Sequence, residues 1–285
     1  MIVTCDELAK RNLDELRKTI NHWQADGMYR GPGLGIAALT EDMCAPYIKY
    51  LTKDANDLGI MVFSSFAPTI DTLIEEIKSF NNNKNVHGII VHHDYKGLVS
   101  ESGADNVVDW QKDIDGNTFI QRGLMATTYP GNMYKYCRLP ATANAALKLA
   151  WFYNEGKRVS IFGRGPVGKA CANLFNSSGY TVMHFNSGVQ DLRFACDFSD
   201  VLIFAQSPGK KYKFDANCLR MAKDLLIIDI GGNLDDDSGL IDMAANVKYV
   251  PKVGKMTRAM LLDNLITNWC TYEYKIPSLK TEEIK

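Results

Sequence analysis

The sequence lacks any apolar run that approaches the ~18 residues a membrane-spanning helix needs. Its first residues lack the basic segment and apolar core that are typical of a secretory signal. The formal net charge is −1, so there is no basic excess of the kind that binds nucleic acid or an anionic membrane. These absences predict a cytoplasmic protein whose partners include neither a membrane nor a nucleic acid.

The sequence also lacks any C-x-x-C pair, and its seven cysteines are scattered and odd in number. A disulfide scaffold and a metal site are therefore not expected, and reduced thiols agree with a cytoplasmic location. With 285 residues, the chain is long enough for two modest domains with a sizeable core.

The most informative stretch is G-R-G-P-V-G at residues 163–168. An apolar run at 159–162 predicts a strand before it, and good helix formers follow at 169–175. In this G-x-G-x-x-G context the three glycines permit a tight turn, close approach to a pyrophosphate, and close packing of helix on strand. The N–H groups at the helix start would hold the phosphates. We predict a dinucleotide site rather than a purely structural turn, with Gly163, Arg164, Gly165, Val167 and Gly168 as its residues.

Apolar strands alternate with helices along most of the chain, which predicts an α/β fold built from parallel β-α-β units. Residues 94–140 interrupt the alternation and are expected to be irregular binding loops. Gly231 ends a predicted strand at 225–230, at the edge where such sheets bind ligands. We predict two α/β domains with a substrate cleft between them. One comprises residues 1–141 completed by a C-terminal helix in 256–285, and the other is a Rossmann-type domain at 142–255.

The region about 20 residues beyond the glycine turn decides between the two nicotinamide cofactors, because NAD binders carry an acidic residue there. Here it reads H-F-N-S at residues 184–187, with no carboxylate to repel a 2′-phosphate. Arg164 could supply a compensating charge and Ser187 a hydroxyl donor, although Arg164 could equally be a solvated surface residue. We therefore favour NADP as the cofactor, with NAD possible.

Several collinear fragments give the chain, from about residue 33 to 268, a resemblance to the methylenetetrahydrofolate dehydrogenase/cyclohydrolase family. They are Tyr47 with Gly59-Ile60, V-H-G-I-I-V at 86–91, K-D-I-D-G-N at 112–117, C-R-L-P-A-T at 137–142, the glycine turn, I-I-D-I-G at 227–231, and K-M-T-R-A-M-L-L-D-N at 255–264. The resemblance implies a folate substrate, hydride transfer from 5,10-methylenetetrahydrofolate to the nicotinamide cofactor, and a homodimer paired through the cofactor domain.

Candidate site residues come from the resemblance and, for His92, from its place at the carboxyl end of a predicted strand. Tyr47, His92 and Asp115 are the candidate catalytic residues, and Tyr47, Asp115, Gly254 and Thr257 are the candidate substrate-binding residues. Asp115 matches the family carboxylate that holds the pterin ring, and its alternative role is that of a turn residue before a glycine. Tyr47 could stack on the substrate or be ordinary helix packing. His92 could titrate near neutrality or serve as a structural hydrogen bonder.

Departures from the family pattern concentrate in the substrate half. The family carries a lysine four residues after the helix tyrosine, and here that position is Leu51. The family's Q-L-P-L-P is replaced by H-H-D-Y-K at 92–96, and its G-G-V-G-P is reduced to K-V-G-K at 252–255. Because the lysine serves the cyclohydrolase step, we predict that this activity is weak or lost.

Two alternative functions remain open at this point. The altered stretch at 92–95 is consistent with a dehydrogenase for another pterin or imine substrate. An intact glycine turn beside a lost tyrosine–lysine pair is consistent with a pseudoenzyme that binds a nucleotide or folate without turnover.

Overall fold

The computed structural model describes residues 1–25, 30–43, 45–93, 97–127, 137–186, 188–189, 191–206, 211–213, 218, 224–235 and 244–274. The chain forms two compact units, which are named here after the strands described in each. The three-stranded unit comprises Lys10–Ala141 and Arg258–Lys285, and the five-stranded unit comprises Met1–Ala9 and Thr142–Thr257.

Helices and strands alternate in both units. In chain order they are α1 (Asp6–Ala25), β1 (Gly33–Leu39), α2 (Pro46–Asp57), β2 (Met61–Ala67), α3 (Ile70–Asn82), β3 (Gly88–Val91), α4 (Leu98–Ser102), α5 (Phe119–Thr127), α6 (Ala141–Tyr153), β4 (Arg158–Phe162), α7 (Pro166–Ser177), β5 (Thr181–Phe185), α8 (Arg193–Phe198), β6 (Val201–Phe204), β7 (Leu225–Asp229), β8 (Val247–Val250) and α9 (Gly254–Tyr274).

The first nine residues lie with the five-stranded unit, although the sequence-based division placed residues 1–141 in one domain. Ile2 forms a parallel bridge with Tyr249 of β8. The amino group of Met1 donates a hydrogen bond of 2.8 Å to the Val247 carbonyl. These are backbone contacts between distant parts of the chain, so no side-chain periodicity in the sequence could reveal them.

In the three-stranded unit the strands are parallel and run in the order β2-β1-β3. The central strand β1 is buried along its whole length, which explains its continuous apolar sequence. Helix α3 packs against one face of the sheet through residues such as Leu73 and Ile77. On β3, a Cβ at Gly88 would overlap the side chains of Ile114 and Leu265, so α9 and the 113–118 loop lie directly against this strand.

The five-stranded unit has parallel strands in the order β5-β4-β6-β7-β8. Chain connections run outward in opposite directions from β4, which is the doubly wound arrangement, and its topological switch point lies between β4 and β6. Open sheets of this kind bind ligands beyond the carboxyl ends of the strands at that point. Phe162 and Phe204, which stack at 4.8 Å between ring centroids, form the apolar core just below it.

The α/β alternation predicted from the sequence is confirmed, and the larger differences concern short elements. The stretch at 94–140 was expected to be irregular, yet it contains α4 and α5 among its described residues. The strand β8 and the helix α8 were not predicted. Each has six residues or fewer, so hydrophobic periodicity has little sequence in which to develop.

Candidate active site

Each glycine of the 163–168 turn has its own steric environment. Gly163 has a φ of +122°, and a Cβ there would overlap the carbonyl oxygen of Ala205 at the end of β6. A Cβ at Gly168 would overlap the carbonyl oxygen of Gly163. A Cβ at Gly165 would instead meet nothing within 4 Å among the described residues. Two glycines are thus required for packing, and the middle one faces space that a ligand can enter.

The start of α7 is suited to an anion. Pro166 occupies its first turn, and Gly165 at the N-cap position supplies no side-chain cap. The first N–H groups of a helix have no partner within the helix, and here Val167 and Gly168 carry two of them. A phosphate at this position would accept these hydrogen bonds and would lie at the positive end of the helix dipole.

Arg164 lies beside the end of β5, where Rossmann-type domains contact the adenosine ribose. It is exposed, and its Nη2 donates to the carbonyl oxygen of His184 at 3.4 Å. His184 in turn places its Nε2 2.6 Å from the carbonyl oxygen of Gly163. The end of β5 and the glycine turn are therefore tied together by two contacts. Ser187, the other predicted residue here, lies outside the described residues.

Gly231 follows β7 and is fixed against the end of β6. The carboxylate of Asp229 accepts the N–H of Asn233 at 2.7 Å, and the Asn233 amide oxygen accepts the N–H of Gln206 at 2.9 Å. A Cβ at Gly231 would overlap both the Gln206 carbonyl and the Asn233 side chain. Since Gly163 packs on the same end of β6, the structure brings Gly163 and Gly231 to one edge of the sheet.

In the three-stranded unit, Tyr47 and His92 come together at the carboxyl edge of the sheet. Tyr47 lies in the first turn of α2, and His92 follows β3. The His92 N–H donates to the Ala37 carbonyl at 2.8 Å, which fixes its backbone to β1. The two rings stack, with their centroids 6.2 Å apart and an angle of 23° between their planes. Residues 45 positions apart thus form one wall.

Asp115 is presented by a tightly bonded loop. The buried carboxylate of Asp113 accepts N–H groups from Asp115 at 3.2 Å, Gly116 at 2.8 Å and Thr118 at 2.7 Å. Gly116 has a φ of +68°, and a Cβ there would overlap the Arg138 carbonyl. The first aspartate of D-I-D-G is therefore structural, and it leaves the second free to meet a ligand.

The electrostatics of Asp115 are unusual. Burial raises the pKa of its carboxyl to about 7, and the neighbouring Asp113 adds to the rise. Asn117 opposes this shift by donating to Asp115 Oδ2 at 2.5 Å, and Arg122 fixes Asn117 through a 3.1 Å bond to its amide oxygen. Burial also raises the pKa of the Tyr47 hydroxyl, with a further contribution from the Asp115 charge. Tyr47, His92 and Asp115 therefore belong to one cluster.

Leu51, at the position of the family lysine, is 1% exposed and part of the apolar core. Arg258 of α9, which is not among the residues predicted from the sequence, brings a positive charge that acts on Tyr47. Its Nε lies 2.6 Å from Asp54 Oδ2 on α2. A signal existed, because Arg258 follows Thr257 inside a resemblance fragment and is followed by an almost wholly apolar segment.

Gly254 and Thr257 occupy the first turn of α9 and fall within the five-stranded unit. Thr257 is buried, and its N–H donates to the Val253 carbonyl at 2.9 Å. Their substrate-binding role remains a prediction. Within the described ranges, no group of three or more metal-ligating side chains occurs, and no helix has the length and apolarity to cross a bilayer.

Two family models match the chain. The model of the tetrahydrofolate dehydrogenase/cyclohydrolase catalytic domain matches residues 3–115, and that of the NAD(P)-binding domain of the same family matches residues 140–273. The chain is 27% identical to the bifunctional protein FolD of Bacillus anthracis (strain CDC 684 / NRRL 3495), over 93% of this chain and 95% of that protein.

Solved structures share the fold. The methylenetetrahydrofolate dehydrogenase-cyclohydrolase (FolD) of Trypanosoma brucei, complexed with NADP cofactor and inhibitor, matches with a TM-score of 0.79 and 21% identity over 94% of this chain and 97% of that chain. The NAD-dependent 5,10-methylenetetrahydrofolate dehydrogenase of Saccharomyces cerevisiae matches with a TM-score of 0.78 and 23% identity, covering 96% and 99% respectively. The two-domain α/β fold predicted from the sequence is confirmed.

Proposed function

The chain belongs to the tetrahydrofolate dehydrogenase/cyclohydrolase family, and we propose that it transfers a hydride from 5,10-methylenetetrahydrofolate to NADP. The observation that carries this proposal is the cluster of Tyr47, His92 and Asp115 at the carboxyl edge of the three-stranded sheet. The glycine turn of the five-stranded unit supplies the complementary half of the reaction. In this assignment residues 1–141 and 256–285 form the folate domain and residues 142–255 form the cofactor domain, except that residues 1–9 pack with the cofactor domain.

The residues of the glycine turn fit a dinucleotide. The open space at Gly165 and the uncapped start of α7 match the needs of a pyrophosphate. NADP is favoured over NAD because Arg164 provides a cation beside the end of β5, and the sequence H-F-N-S at 184–187 contains no carboxylate to oppose a 2′-phosphate. When bound, the nicotinamide supplies the hydride acceptor.

The substrate half acts by positioning. The carboxylate of Asp115 accepts hydrogen bonds from the amino and ring N–H groups of the pterin, and Asn117 keeps it oriented. The stacked rings of Tyr47 and His92 form a flat wall beside it. Hydride transfer from an activated methylene carbon needs alignment more than proton transfer, so an apolar residue at position 51 does not prevent it.

Hydrolysis of the methenyl product is proposed to be weak or absent. That step needs a group able to move protons near the reacting carbon. Leu51 cannot do so, and the guanidinium of Arg258 does not release its proton in a protein.

The experiment that tests this function measures both reactions on one preparation. We expect methylenetetrahydrofolate to reduce NADP, with methenyl product appearing in step, and hydrolysis to be about a hundredfold slower. Equal rates would contradict the loss of hydrolysis. A rise in melting temperature with NADP but no turnover would favour the pseudoenzyme, and protection by NADP but not by folate would favour another imine substrate.

We also propose a cytoplasmic homodimer paired through the cofactor domain. The described cysteines are buried and none of them forms a disulfide, which agrees with a reducing compartment. Strand β5 ends the described five-stranded sheet and keeps part of its surface exposed, so it offers an edge for pairing. Mass measurement in solution tests the dimer, and a monomer at all concentrations would contradict it.

A further inference from the structure

An ion pair joins α9 to α2 within the three-stranded unit. Arg258 Nε lies 2.6 Å from Asp54 Oδ2, and the two side chains keep only 12% and 17% of their surface exposed. The guanidinium also lies over the ring of Tyr50, with its central carbon 5.3 Å from the ring centroid. A carboxylate and an aromatic face thus hold Arg258 in one orientation.

The pair lies on the side of α2 that carries the substrate cluster. Tyr47, Tyr50 and Asp54 are at positions i, i+3 and i+7, so they follow one face of the helix. Leu51 lies between them and is buried, and Arg258 brings a cation to this face through its pair with Asp54. The guanidinium charge acts on Tyr47 by favouring its ionised form, against the burial that raises the pKa of this hydroxyl.

Arg258 retains hydrogen-bonding capacity for a ligand. An arginine side chain has five N–H donors, and the Asp54 bond uses the one on Nε. Within the described part of the chain, the guanidinium contacts the Asp54 carboxylate and the Tyr50 ring, and its Nη1 and Nη2 groups donate to no other residue. Two parallel donors on a fixed guanidinium match the two oxygens of a carboxylate.

We propose that Arg258 binds a carboxylate of the substrate's glutamyl tail and that Asp54 is the positioning residue that holds it there. This inference rests on the proposed function. A folate has hydrogen-bond donors on its pterin and carboxylates at its other end. The cluster offers a carboxylate at Asp115 and a cation at Arg258, and Tyr47 lies within the electrostatic reach of both. The cluster is therefore complementary to a bound folate in charge.

The test compares two substrates that differ only in the tail: 5,10-methylenetetrahydrofolate and the primary amide of 5,10-methylenetetrahydropteroate (the pteroamide), which has no glutamate and no carboxylate. For the wild type, kcat/KM should favour the folate by about tenfold, the value of one charge-assisted contact. Arg258→Gln should remove this preference, with a larger fall in kcat/KM for the folate than for the pteroamide. Arg258→Lys should keep part of the preference for the folate, and Asp54→Asn should weaken that preference.

Lys53→Gln is the matched control, because Lys53 lies on the same helix in an exposed pair with Asp57. It should leave the preference unchanged. An equal loss for both substrates in Arg258→Gln would indicate a structural role and overturn the proposal. Equal kcat/KM values of the wild type for the two substrates would also overturn the proposal. That measurement does not depend on whether any variant folds.

Calorimetric binding of tetrahydrofolate and of the primary amide of tetrahydropteroate separates this proposal from the proposed function. A wild type that prefers tetrahydrofolate without turning over either substrate supports the carboxylate site and contradicts the dehydrogenase. Turnover of both substrates at equal kcat/KM keeps the dehydrogenase and overturns the carboxylate site. Absence of binding for both ligands overturns both.

Discussion

The ring of Tyr47 stacks on the imidazole of His92, with 6.2 Å between the centroids and 23° between the planes. One residue starts a helix and the other ends a strand, and the parallel sheet brings them to the same edge. This wall and the carboxylate of Asp115 define the substrate half of the proposed enzyme.

Replacing Tyr47 should separate the role of its ring from that of its hydroxyl. Tyr47→Ala removes the stacking surface and should raise the KM for methylenetetrahydrofolate about tenfold. Tyr47→Phe keeps the ring and should change KM by less than about threefold. The KM for NADP serves as the internal control. If Tyr47→Phe and Tyr47→Ala raise the KM by the same factor, the hydroxyl and not the stacking of the ring supports substrate binding.

Asp115 should control the pH dependence of turnover. Its pKa of about 7 means that the carboxylate needed to hold the pterin is protonated at lower pH. We therefore expect kcat/KM to fall by roughly tenfold for each pH unit below that value. Asp115→Asn should be slow and should lack this inflection. A wild-type profile that is flat between pH 5 and pH 8 would contradict this role.

The same carboxyl should affect stability in the opposite direction. Its pKa is raised in the folded state from its ordinary value of 3.8, so its contribution to stability is fully present below pH 3.8. That contribution is lost as the pH rises through about 7. Asp115→Asn should therefore raise the melting temperature relative to wild type at pH 8 and change it less at pH 5. A melting temperature lowered equally at both pH values would refute this.

Two glycines of the turn should respond differently to alanine. Gly168→Ala places a methyl group on the Gly163 carbonyl and should destabilise the fold by about 2 kcal/mol. The methyl group of Gly165→Ala enters open space, so the melting temperature should stay unchanged while the Kd for NADP rises about tenfold. Denaturant unfolding and fluorescence titration measure the two effects. Unchanged NADP binding in Gly165→Ala would place the phosphates elsewhere.

Arg164 should determine the choice of cofactor. Arg164→Gln is expected to lower kcat/KM with NADP by about tenfold or more and to leave the value with NAD almost unchanged. Arg193→Gln, which removes an exposed arginine paired with Asp191 in the same unit, is the matched control. An equal loss with both cofactors would mean that Arg164 serves the pyrophosphate or the fold and not the 2′-phosphate.

Much of the fold could be predicted because the physical signals are local. Buried parallel strands have continuous apolar sequences, and the glycine turn carries its steric requirements in its residue order. The pairing of Ile2 with Tyr249 could not be found in the same way, since it is a backbone contact between segments 247 residues apart.

The candidate site was predicted in part for a related reason. Tyr47, His92 and Asp115 occupy positions that the family resemblance identifies, but their packing arises from the sheet topology. No local sequence pattern indicates the Asp54–Arg258 pair, because its two residues lie 204 positions apart in the chain, on α2 and α9. Charged pairs of this kind become visible only when the helices are placed in three dimensions.

Transfer of an isotopic label tests the central claim most directly. Methylenetetrahydrofolate that carries two deuterium atoms on its methylene carbon is incubated with the protein and NADP. The reduced cofactor is then analysed by mass spectrometry. Direct hydride transfer predicts that each reduced cofactor gains one deuterium while the methenyl product keeps the other. Failure to reduce NADP, or reduced cofactor without the label, would contradict the proposed dehydrogenase.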